Sequence, residues 1–131
     1  MKSEKSLTSP EIRKTVRCRV PQIAFARIAR KILGPRYELS LVICGDSLGK
    51  RLNVERRKRN YTPNVLTFPL TKNEGEIFLN VLAAARESRR FKVPLRERII
   101  FLFIHACLHL TGLKHGRRME QMTTAMLKRI L

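Results

Sequence analysis

Acid is scarce in this chain, and so are cysteine, long apolar runs and repetition. Ten Asp and Glu stand against 28 Lys and Arg over 131 residues, a formal net charge of +18. Such a chain repels itself and attracts polyanions, which sets nucleic acid ahead of any acidic-surface role. Cys18, Cys44 and Cys107 are an odd, scattered set with no CxxC pair. They suggest neither a disulfide framework nor a cysteine zinc site. The longest apolar run, IIFLFIHACLHL, has twelve residues and two histidines, too short to span a bilayer. The opening MKSEKSLTSPEIRK has no apolar core of a secretory signal. A cytoplasmic chain is therefore expected, with no membrane partner. No internal repeat, low-complexity tract or interdomain linker is visible, so residues 1–131 read as a single domain, with 1–13 expected to be disordered. A hydrophobic fraction of 44% belongs to a globular fold.

The local patterns mix strands and helices without regular alternation, which predicts an α+β fold. TVRCRV (15–20) and YELSLVIC (37–44) alternate as strands, the second with Leu39, Leu41 and Ile43 on one side. PQIAFARIARKILG (21–34) reads as a helix opened by Pro21, closed by Gly34-Pro35, with Ile23, Ala26, Ala29, Ile32 and Leu33 on its apolar face. Asp46 or Ser47 is expected to cap the cationic helix SLGKRLNVERRKR. NVLTF, closed by Pro69, and EIFLN read as strands, and Asn80 as the cap of the helix VLAAARESRRF. The strongest helix opens near Pro94 and stops at Gly112. RRMEQMTTAMLKRIL follows as an amphipathic helix with Met119, Met122, Met126 and Ile130 in one stripe.

All three histidines fall in HACLHLTGLKH, residues 105–115. Residues four apart on a helix differ by about 40° of azimuth, so His105 and His109 offer two imidazoles to one ion. Gly112 lets the backbone turn and bring His115 back as a third. Three neutral imidazoles leave an open position, as a catalytic zinc requires. Nickel, copper and iron remain open on ligand type alone. Cys107 falls about 160° away on the opposite face and reads as a small core residue. The pattern HAxxHxxGxxH differs from the protease pattern HExxHxxGxxH at Ala106. Alanine takes no proton, so the usual proteolytic base is missing and a metalloprotease is disfavoured.

At this point the chain resembles the YbeY family of bacterial rRNA-maturation endoribonucleases. That family carries a stretch close to HGxLHLxGxDH, matched here by HACLHLTGLKH, and an upstream RxKDxxTNVLSFP, matched by RKRNYTPNVLTFP from Arg57 to Pro69. Between them its GDI matches Gly75-Glu76-Ile77. Order and spacing agree from about residue 37 to 131. The resemblance implies a small mixed four-stranded sheet packed with helices around a central metal-binding helix. It implies one zinc ion held by His105, His109 and His115, and a cleavage role for Arg57. It also implies a metal-dependent, single-strand-specific endoribonuclease that matures the three-prime end of small-subunit rRNA and serves ribosome quality control. Lys114, Pro63 and Ala106 depart from the family's aspartate, threonine and glycine at those positions, and Glu76 from its aspartate.

An arginine suits such chemistry because its planar fork grips two phosphate oxygens and stays charged. Arg56, Arg59, Tyr61 and Asn64 are expected to contact single-stranded RNA, the cations electrostatically and Tyr61 by stacking. Phe68 reads first as core. Glu120 reads as a solvated carboxylate, with a bond to a ligand histidine as the alternative. The expected partners are rRNA and the small ribosomal subunit, not DNA. The competing reading is a ribosome- or RNA-binding assembly factor with a structural metal.

Overall fold

A computed structural model describes residues 10–131. Along the chain run β1 (Glu11–Lys14), α1 (Phe25–Leu33), β2 (Glu38–Cys44), α2 (Asp46–Arg57), β3 (Val65–Thr71), β4 (Glu74–Asn80), α3 (Val81–Phe91), α4 (Leu95–Leu110) and α5 (Arg117–Ile130). The sheet order is β1-β2-β4-β3. β1 and β4 both pair in parallel with β2, and β3 runs antiparallel to β4, so the sheet is mixed and the class is α+β, as expected.

The two faces of the sheet are covered differently. Leu39, Leu41, Ile43, Ile77 and Leu79 point into the main core with α1, α3, α4 and α5. Val42, Cys44, Leu66 and Phe78 point the other way, onto Leu52 of α2. Both faces of β2 are thus dry, which explains its nearly unbroken apolar sequence. α4 packs against α1, α3, α5 and the sheet. Ile99, Ile100, Phe103, Ile104, Ala106 and Cys107 are all fully buried, so its apolar surface wraps most of the helix. Cys107 belongs to this core, as its azimuth predicted.

Several local expectations move. The first strand lies at Glu11–Lys14, not at 15–20. Its ladder puts Glu11 opposite Ser40 and Lys14 opposite Ile43, whereas Val16, Cys18 and Val20 satisfy their alternation by packing on the core as irregular chain. Of the segment expected to be disordered, residues 1–9 lie outside the described residues, and 11–13 are strand. α1 begins at Phe25 rather than Pro21, and buries Phe25, Ile28 and Ala29 while Ala26 is exposed. Gly45, not Asp46 or Ser47, holds the N-cap position of α2, which has no side-chain cap bond, and the Asp46 carboxylate instead engages Arg86 and Asn80. Pro69 does not end β3 but sits within it, at an edge strand with a register shift between Pro69 and Thr71, where a missing N–H is tolerated. On α5 the stripe is incomplete: Met119 is buried, Met122 exposed. The Asn80 cap holds: its Oδ1 accepts from the N–H groups of Leu82 and Ala83 at 3.1 Å each.

Candidate metal centre

The last turns of α4 present His105 and His109 on one face. After Leu110 the chain turns through Gly112, whose φ of +95° is a left-handed value that glycine adopts without a Cβ clash. The 111–116 loop then returns His115 to the pair. One ligand nitrogen from each ring lies within 4.8 Å of the others. His109 Nε2 and His115 Nε2 stand 2.9 Å apart, one ring donating and the other accepting. The His105 ring centroid lies 4.9 Å from that of His109 and 5.2 Å from that of His115.

These spacings bracket the roughly 3.3 Å that separates ligands around a tetrahedral ion with bonds of about 2.0–2.1 Å. The donor set therefore fits an imidazole-binding metal with a fourth position left for another ligand. The surroundings also favour the uncharged form of the two helical imidazoles. Burial pushes His105 from its ordinary 6.5 down to about 4, helped by His109, His115 and Arg98. Burial, His115 and Arg57 lower His109 as well. Neutral imidazole is the form that binds metal. Ala106 is fully buried in the core, so nothing at that position offers a base to the site.

The histidines open on a cleft of about 530 Å³ between α4, the start of α5 and the segment from Arg57 to Thr67. Arg57, Tyr61 and Asn64 line it. Arg57 donates from Nη1 to Asn53 Oδ1 at 3.3 Å, and Asn53 Nδ2 donates to the Tyr61 carbonyl at 3.0 Å. Asn64 donates to Glu87 Oε2 at 3.0 Å, so its amide is fixed from α3. Glu120 lines the same cleft as an exposed carboxylate.

Arg56 and Arg59 are not among the residues lining the cleft. Arg56 lies on the far side of the sheet, where it pairs with Glu76 at 3.3 Å and its guanidinium covers the Phe68 ring at 4.8 Å. Phe68 in turn packs against the smaller core, edge-on to Phe78. Arg59 stays exposed, and its backbone N–H closes α2 by bonding the Asn53 carbonyl. Sequence reasoning passed over Asn53, Glu87 and Arg98. A signal for Arg98 was present: it precedes His105 by seven residues, two helical turns, and so shares its face.

The chain matches the family model described as Endoribonuclease YbeY over residues 2–130. It is similar to a protein of that name from Bordetella petrii, 40% identical over 102 residues that cover 70% of this chain and 66% of the relative. Another from Geobacter metallireducens is 33% identical over 107 residues, covering 72% of this chain and 71% of the relative. The chain thus spans just under two thirds of the length of the Bordetella petrii relative. In fold it is similar to a protein from Thermotoga maritima solved in solution, with a TM-score of 0.65 at 20% identity, covering 92% of this chain and 87% of that one.

Proposed function

The chain belongs to the YbeY family, and from that premise we propose that it is a zinc-dependent endoribonuclease that cuts single-stranded RNA. Its place would be in rRNA maturation, at the three-prime end of small-subunit rRNA, and in ribosome quality control, in the cytoplasm and in contact with the small subunit. The observation that carries this reading is the convergence of three imidazoles at the wall of an open cleft that also presents Arg57.

His105, His109 and His115 would hold the ion. When bound, a zinc ion there supplies Lewis acidity toward a phosphoryl oxygen and makes a water more acidic near neutral pH. Arg57, on the cleft wall, would meet the equatorial phosphate oxygens, where charge develops as the bond breaks. Its tie to Asn53 takes one of five N–H donors and leaves the rest for the phosphate. Tyr61, half exposed on the cleft wall, offers a ring to an unpaired base, and Asn64 an amide fixed by Glu87. The absence of a carboxylate at position 106 is less damaging here than in a protease, because the 2′-hydroxyl of RNA is itself a nucleophile.

The experiment is cleavage of a labelled single-stranded RNA by wild type, His109→Ala and Arg57→Ala, purified side by side against contaminating nucleases. Chelator-sensitive cutting by wild type, lost in His109→Ala and reduced at least a hundredfold in kcat by Arg57→Ala, is expected, on the scale of removing one oxyanion-stabilising group. Cutting that His109→Ala shares in full removes the proposal. The second reading, an RNA-binding assembly factor with a structural metal, is favoured by one feature, the cationic Lys114 beside the third ligand. It predicts RNA binding and metal-dependent melting without cleavage.

A further inference from the structure

Arg98 is the least exposed of the ion-paired arginines among the described residues. Its side chain keeps 17% of its exposure and Glu87 keeps 15%, with Arg98 Nε donating to Glu87 Oε1 at 2.8 Å. Its guanidinium also lies 4.8 Å from the centre of the Phe91 ring and 4.6 Å from that of Phe101. Phe101 stacks in turn on His105, with 6.4 Å between ring centres and 17° between planes. The same arginine lines the cleft next to the histidines, as Arg57 does.

A guanidinium has five N–H donors, and only Nε is engaged by a protein acceptor among the described residues. The Nη donors of a plane fixed by two rings and a carboxylate are therefore available to a ligand at little cost in ordering entropy. Arg57, Arg98 and a site for a divalent cation outweigh the carboxylates of Glu87 and Glu120 and leave local positive charge uncompensated. An anion is what completes such a set. Arg57 and Arg98 approach the histidine cluster from different elements, α2 and α4.

We propose that Arg98 is a substrate-binding residue that grips a second backbone phosphate of the RNA, beside the one presented to the histidines and Arg57. This rests on the reading of the cleft as an RNA site. Arg57 then acts on the phosphate being cut, and Arg98 sets where the strand lies. Glu87, bonded to both Arg98 and Asn64, holds two cleft-lining side chains in one register.

The test is the salt dependence of binding, read by fluorescence anisotropy of a labelled single-stranded RNA in chelator, so that no turnover intervenes. Arg98→Gln should flatten the plot of log affinity against log salt by about 0.7, the contribution of one single-strand phosphate contact. Arg129→Gln, which removes the same charge outside the cleft, should leave the slope as it is. In cleavage assays Arg98→Gln should raise KM severalfold, with a smaller effect on kcat than Arg57→Ala has. Should Arg98→Gln fail to fold, Glu87→Gln decides: loosening the carboxylate that holds Arg98 and Asn64 in register should weaken RNA binding relative to Glu97→Gln, which removes the same charge outside the cleft. An unchanged slope in a folded Arg98→Gln, or equal affinities for the two glutamate variants, makes Arg98 a structural strut and overturns the proposal. Wild type that binds RNA with the Arg98-dependent slope but never cuts it would sink the nuclease reading alone.

Discussion

Asn53 carries no charge and is fully buried, yet two residues of the cleft depend on it. Its carbonyl oxygen fixes Arg57 and its amide nitrogen fixes the Tyr61 carbonyl. Asn53→Ala removes both bonds and strands a backbone acceptor, which costs about 1–3 kcal/mol. The expected outcome is a loss of kcat for RNA cleavage that exceeds the loss of folded protein at the assay temperature, with Asn53→Asp recovering part of it. Melting and turnover measured on the same samples check this, and unchanged kcat in folded Asn53→Ala would rule out a positioning role. The histidines carry a prediction of a different kind. The folded state holds His105 near 4, against 6.5 when unfolded, because burial opposes its charge. The unfolded chain therefore binds more protons between those values, and stability rises with pH there. Metal-free protein should be most stable above about pH 6.5 and should melt at progressively lower temperature as pH falls toward 4. His105→Ala should show a shallower decline.

At the scale of the element, α4 can end where it does because β4 lets it come close. A Cβ built on Gly75 would meet Tyr37 Oη, and would stand 2.9 Å from a methyl carbon of Leu110. Leu110 is the last residue of the helix that carries His105 and His109. Gly75→Ala should therefore overpack this joint and cost about 1–3 kcal/mol, measurable by denaturant unfolding. An effect within 0.5 kcal/mol would mean that the contact yields easily. Much of this level was legible in advance. Asn80 announced its cap, β2 its pattern and α4 its length, because caps and periodicity are local properties. The edges of the sheet were not. Residues 15–20 alternate like a strand, but pairing requires a partner, and β2 took Glu11–Lys14 instead. Pro69 looked like a strand end because nothing local reveals that β3 is an edge.

At the scale of the whole molecule, a charge of +18 says that a polyanion is wanted but not where it binds. Arg56 and Arg57 show the difference. They are neighbours in one charge run, and the burial of Leu52 and Asn53 in α2 sends Arg57 to the cleft and Arg56 to Glu76 on the far side of the sheet. The histidine cluster could be read because its three members lie within eleven residues, closed by one glycine turn. Arg98, Glu87 and Asn53 could not be weighted in the same way, since their importance comes from what the fold sets against them. No helix among the described residues is long and apolar enough to cross a membrane.

An ion held by these histidines should be what makes the cleft cut RNA. The most direct measurement is a zinc titration of chelator-stripped protein, following the rate of cleavage of a single-stranded RNA oligonucleotide. The rate should climb from background to a plateau at about one equivalent of zinc per chain, the loading that one three-histidine site requires, and His109→Ala should stay at background throughout. A rate indifferent to zinc, or one that His109→Ala reproduces, would contradict the account.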